Sequence, residues 1–86
     1  MLKITHHHRF KSFYDKLTSG QKKKFAERLG LFCKNPREKI LKNHRLKGDL
    51  HEFFAFSVGG DLRVLYCWKD KETIELYKVG SHSQVY

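Results

Sequence analysis

The spacing of apolar residues changes period midway along the chain. Leu2-Lys3-Ile4-Thr5 alternates apolar and polar, which predicts a short first strand. Phe10, Phe13, Tyr14 and Leu17 then fall at i, i+3, i+4 and i+7, one face of a helix from Arg9 to Leu17. Thr18-Ser19-Gly20 breaks that pattern, and Thr18 or Ser19 is suited to cap a second helix. Phe25, Leu29 and Phe32, with Ala26 and Cys33, predict that second amphipathic helix over Gln21–Lys34. Asn35-Pro36 stops it, because the residue before proline disfavours helical backbone. So short a break between the helices implies an antiparallel pair.

Beyond Pro36 the helical period is gone. Residues 37–48 read as irregular, anchored by Ile40, Leu41 and Leu46 and turned at Gly48. Leu50–Val58 reads as a strand with Phe53, Phe54 and Phe56 at its centre. Gly59-Gly60-Asp61 is a hairpin signal. Leu62–Trp68 follows as a buried strand, Asp70-Lys71-Glu72 turns the chain, and Thr73–Val79 is a further strand. The expected order is β-α-α-β-β-β: an α+β domain whose helical hairpin packs on a small twisted antiparallel sheet.

The chain has 86 residues, enough for a single domain spanning 1–86 and one modest core. Apolar residues make up 40% and aromatics 14%, which argues against disorder. Eighteen Lys and Arg oppose nine Asp and Glu, a formal net charge of +9. That excess points to a polyanionic partner, RNA above all. No apolar run approaches the roughly 20 residues of a spanning helix, and no signal-peptide core follows Met1, so no membrane is expected. Cys33 and Cys67 each sit in an apolar segment with no zinc-like spacing. They read as reduced, buried thiols of a cytoplasmic protein.

Six histidines are the candidate chemistry. Of these, only His51 falls within an expected strand. Metal-free RNA cleavage requires a base for the 2′-hydroxyl proton, an acid for the departing 5′-oxygen and a cation at the crowded phosphate. His44, His82, Asp61 and Arg63 supply these types, although any basic domain rich in histidine would offer similar ones. His6-His7-His8 reads as a strand exit, with metal binding as the alternative.

Three segments in order carry a resemblance. They are Asn43-His44-Arg45-Leu46-Lys47-Gly48, Gly60-Asp61-Leu62-Arg63-Val64-Leu65-Tyr66, and Gly80-Ser81-His82-Ser83 with terminal Tyr86. Together they resemble the RelE/ParE superfamily of type II toxins, most closely its YafQ-like mRNA interferases. The resemblance implies an endoribonuclease that cuts mRNA in the ribosomal A site without a metal or cofactor. It also implies a cognate antitoxin protein, a toxin–antitoxin hetero-oligomer, and a monomer when free. By position, His44 matches the histidine of a His-x-Leu-x-Gly segment, and Asp61 the acidic residue of the central hairpin. His82 and Tyr86 match a C-terminal histidine and the aromatic four residues later. Arg63 stands at a basic position of RelE-like relatives. Ser57 stands where YafQ-like members carry a further histidine, so His82 is expected to bear more of the proton transfer.

The resemblance assigns roles. His82 is the candidate acid, and His44 suits the base better than Asp61, a carboxylate of pKa about 4. Asp61 would orient an imidazole or simply form the turn. Arg63 would place its planar fork on the phosphate or only solvate the sheet. Tyr86 would stack on a base or pack on the sheet. Lys11, Lys22, Lys23, Lys24, Arg45 and Lys47, with Lys16 nearby, would meet RNA phosphates, or form a solvated face. Removing Ser81–Tyr86 is expected to abolish toxicity and leave the core folded. The rivals are a gyrase-binding toxin of the ParE branch, against which the pair His44 and His82 argues, and a degenerate RNA-binding homologue.

Overall fold

The structure, a computed structural model, describes residues 2–85. The elements in order are β1 (Lys3–His6), α1 (Phe10–Asp15), α2 (Ser19–Lys34), β2 (His44–Arg45), β3 (Phe54–Gly59), β4 (Leu62–Trp68), β5 (Thr73–Ser81) and α3 (His82–Val85). Two 3₁₀ turns, Lys39–Leu41 and Gly48–Leu50, flank β2. Thr18 caps α2. Its Oγ1 accepts from the Gln21 N–H at 3.1 Å while Gln21 Oε1 accepts from the Thr18 N–H at 2.9 Å, a reciprocal capping box.

The strands form one sheet in the order β1-β5-β4-β3-β2. Along β3 and β4 the side chains alternate. Phe56 and Val58, with Leu62, Val64 and Tyr66, belong to the core under the helices. Ala55 and Ser57, with Arg63 and Leu65, take the other face by the period of two. Phe32 of α2 holds the layers together. Its ring stacks on Phe56 at 4.9 Å and meets Tyr66 edge-on at 5.1 Å. Burying each such side chain contributes about 1.5–3 kcal/mol. Gly59 and Gly60 take positive φ (115° and 54°) at the β3–β4 turn, backbone that a β-carbon would strain.

The α+β class and the helical hairpin are as expected. Several details differ. The sheet is mixed rather than antiparallel throughout, because β1 pairs parallel with β5, Lys3 opposite Thr73 and His6 opposite Leu76. No tight turn joins these two strands, so nothing local forces them to oppose. Residues 37–48 contain β2, which pairs His44 with Ala55 and Arg45 with Phe54. The strand expected from Leu50 begins only at Phe54, so His51 lies in a turn, its backbone N–H donating to Gly48 O. Residues 81–85 are not a frayed tail. β5 runs to Ser81, opposite Leu62, and Val85 is only 2% exposed. Deleting Ser81–Tyr86 therefore removes buried apolar surface as well as the candidate acid.

Candidate active site

The β3–β4 hairpin builds one end of the site on the sheet face away from the helices. Ser57 and Arg63 are register partners there. Arg63 Nη1 donates to Gly60 O at 2.9 Å, Leu62 O at 3.1 Å and Ser57 Oγ at 3.3 Å. Ser57, only 6% exposed, also accepts from the Gly59 N–H at 3.3 Å. The guanidinium is thus held by one nitrogen, and none of these bonds uses Nη2 or Nε. Its remaining donors suit a bidentate anion.

Asp61 sits exposed at the tip of the turn. Its Oδ2 accepts the backbone N–H of His82 in a long bond of 3.4 Å. Asp61 therefore joins the hairpin to the first residue of α3 through the main chain. The Ser81 N–H donates to Gln84 Oε1 at 2.8 Å, which closes the same turn from the other side. A groove of about 340 Å³ opens beside this junction, between Phe13, Lys16 and Gln21 of the helical layer and Asp61 and Gln84.

His44 lies at the sheet edge on β2. The register aligns His44, Ala55 and Leu65 in one row, and Ser57, Arg63 and Gly80 in the next row on the same face. Two strands and two residues separate His44 from Arg63, a backbone distance of about 12 Å from standard spacings. His44 Nδ1 lies 2.9 Å from Lys42 O. Next to it, Arg45 Nε donates to His51 O at 2.7 Å, and its guanidinium stands 5.9 Å over the Phe54 ring. Sequence reasoning grouped His44, Asp61, Arg63 and His82. The fold brings Asp61 to His82 and sets Arg63 at the same hairpin, with His44 across the face. Tyr86 lies outside the described residues.

The expected RNA-facing cations divide. Lys24 lies over the hairpin: a β-carbon on Gly59 would meet its Cε at 3.2 Å and Arg28 Nη2 at 3.9 Å. Sequence reasoning missed Arg28, although it follows Lys24 by one helical turn and so shares its face. Lys11 pairs with Asp15 at 2.7 Å, and Lys22 stands 5.2 Å over the Tyr14 ring. Lys23 and Lys47 are exposed.

Away from this site the His7 ring stacks on Tyr77 at 4.8 Å and lies 4.0 Å from the His8 ring. Among the described residues no three His, Cys, Asp or Glu side chains are grouped to hold a metal ion. Cys33 and Cys67 are unpaired thiols, and burial pushes both up from the ordinary thiol range. Just past β4, Lys69 Nζ approaches Glu75 Oε1 on β5 to 3.0 Å, holding that carboxyl below its usual range. No described helix is long and apolar enough to cross a membrane.

Solved structures share this architecture along its length. A metal-bound toxin from Helicobacter pylori is 27% identical, with a TM-score of 0.76 and complete coverage of both chains. The E. coli DinJ–YafQ toxin–antitoxin complex gives 16% identity and 0.79, covering 99% of this chain and 97% of that one. The YoeB/ParE toxin of Agrobacterium tumefaciens gives 15% and 0.75, covering 94% and 99%. The chain has the fold of the RelE/ParE-like type II toxins. No protein-family model matches it, and no curated protein does either. Within this toxin fold Arg63 and His44 occupy the sheet face opposite the helical hairpin, and Asp61 and His82 close one end of it.

Proposed function

We propose that the chain is the toxin of a type II toxin–antitoxin pair and cleaves mRNA on the ribosome. The observation that carries this reading is the anchored Arg63. One nitrogen is fixed to the hairpin carbonyls, and the fork is free of those bonds on the face that His44 shares. In the reaction His44 takes the proton of a 2′-hydroxyl. The 2′-oxygen attacks the adjacent phosphorus, Arg63 stabilises the charge on the equatorial oxygens, and the bond to the 5′-oxygen breaks. His82 protonates that leaving oxygen. The products are a 2′,3′-cyclic phosphate and a 5′-hydroxyl. Asp61 keeps His82 at the hairpin by gripping its backbone.

The net charge of +9 supports RNA binding, with Lys24 and Arg28 on the helical side of the hairpin and Lys23, Arg45 and Lys47 on other exposed surfaces. An antitoxin protein is the partner that silences the toxin, as DinJ pairs with YafQ in the solved complex. Primer extension on a translated mRNA tests the reading. Wild type is expected to create new 5′ ends, and His82→Ala to lose them. Absent ends with wild type, or undiminished ends with His82→Ala, would sink the catalytic assignment.

A further inference from the structure

His44 owes its orientation to a turn that the sheet itself does not fix. Its Nδ1 lies 2.9 Å from the Lys42 carbonyl. A carbonyl oxygen only accepts, so Nδ1 carries the proton of the neutral ring, and Nε2 holds the lone pair. The carbonyl is turned to this position because Lys42 adopts left-handed backbone, φ 49° and ψ 38°, which a β-carbon disfavours. Among the described residues it is the sole non-glycine with positive φ.

Both neighbours of Lys42 are clamped. Leu41 before it is fully buried. Asn43 after it is gripped from two directions: Tyr66 Oη donates to Asn43 Oδ1 at 2.7 Å, and Asn43 Nδ2 donates to Pro36 O at 3.2 Å. Tyr66 is 0% exposed, wedged among Phe32, Phe54 and Phe56. The central strand β4 thus reaches through one phenol to the segment that presents His44. A buried hydroxyl and a half-buried amide that satisfy each other fix position better than apolar contact does, because leaving the hydroxyl unpaired is costly.

The geometry points to Asn43 and Tyr66 as positioning residues that set the tautomer of His44. Acting through the Lys42 carbonyl, they hold the proton on Nδ1 and present Nε2 as the basic nitrogen. The role in cleavage rests on the function proposed above, but the tautomer does not. His7 is the internal contrast. Its Nδ1 accepts the Arg9 backbone N–H at 3.2 Å, so its proton lies on Nε2.

Long-range proton–nitrogen NMR of the full ¹⁵N-labelled chain, well above the usual histidine range of about 6.5, reads both rings. Wild type is expected to show His44 protonated on Nδ1 and His7 on Nε2. In Tyr66→Phe and Asn43→Ala the His44 proton is expected to pass predominantly to Nε2, the tautomer of an unconstrained side chain, with His7 unchanged. Tyr66→Phe keeps the ring and so guards against simple unfolding. Lys42→Gly, which permits the same backbone, should retain Nδ1–H. In cleavage assays both tether variants should lower kcat about tenfold and leave KM within about twofold. An Nδ1–H tautomer that persists in both variants overturns the proposal, and a shifted tautomer with unchanged kcat overturns the role of that tether in cleavage. Inactive wild type with the expected tautomers would instead refute the proposed reaction and leave the tether standing.

Discussion

At the β3–β4 hairpin Arg63 is fastened to two carbonyls and a serine, all within six residues of it. At the β2 edge His44 depends on Tyr66, which reaches Asn43 across 23 residues of sequence. The first arrangement is local and forms with the turn itself. The second exists only once the core has closed on Tyr66. In the proposed reaction, the cation that would meet the phosphate is set by the hairpin, and the base that would move a proton is set by tertiary packing. Damage to the core should therefore reach His44 before it reaches Arg63.

Phe32→Ala should have the largest effect. It removes the ring between Phe56 and Tyr66, at a cost of about 3–5 kcal/mol in denaturant unfolding. If the two regions differ as described, NMR signals around Asn43 and His44 should broaden before those of the hairpin. Ser57→Ala comes next. It strips an acceptor from both Arg63 and the Gly59 N–H, and should cost about 1–2 kcal/mol and about tenfold in cleavage rate. Its pattern of loss should match Arg63→Lys rather than His44→Ala.

Tyr66→Phe should cost about 1 kcal/mol near neutral pH. It should also change the alkaline limb of stability. Burial raises the phenol to about 12, against about 10 in an unfolded chain. Between these values the unfolded state releases a proton that the native state keeps. Stability is then full below about pH 10 and falls as pH rises toward 12. Denaturant titrations at pH 9 and pH 11 should show the fall in wild type and a smaller one in Tyr66→Phe. The smallest effect belongs to Lys11→Ala, which breaks an exposed pair with Asp15 and should change stability by less than about 0.5 kcal/mol.

Much of the fold was legible because periodicity reports burial. The Phe10–Leu17 and Phe25–Phe32 spacings mark both helices, and Gly59-Gly60-Asp61 marks the hairpin. β2 was not legible: it is two exposed residues whose pairing is set by β3, with no alternation to read. The direction of β1 was hidden because its partner β5 lies at the other end of the chain. In the site, residue types were readable and partners were not. Nothing local says that Asp61 would hold the His82 backbone, or that Asn43 would meet Tyr66. Arg28 had a faint signal, its place one turn beyond Lys24, but its relevance came from α2 crossing Gly59.

The most direct test is the rate of new 5′-end formation on a translated mRNA with wild type and Arg63→Ala, each checked for an unchanged melting temperature. Cleavage by wild type and a loss of about 10²–10³-fold in Arg63→Ala are expected for a cation stabilising the phosphate in the transition state. Wild type that leaves the mRNA intact, or Arg63→Ala that cleaves at the wild-type rate, would contradict the account.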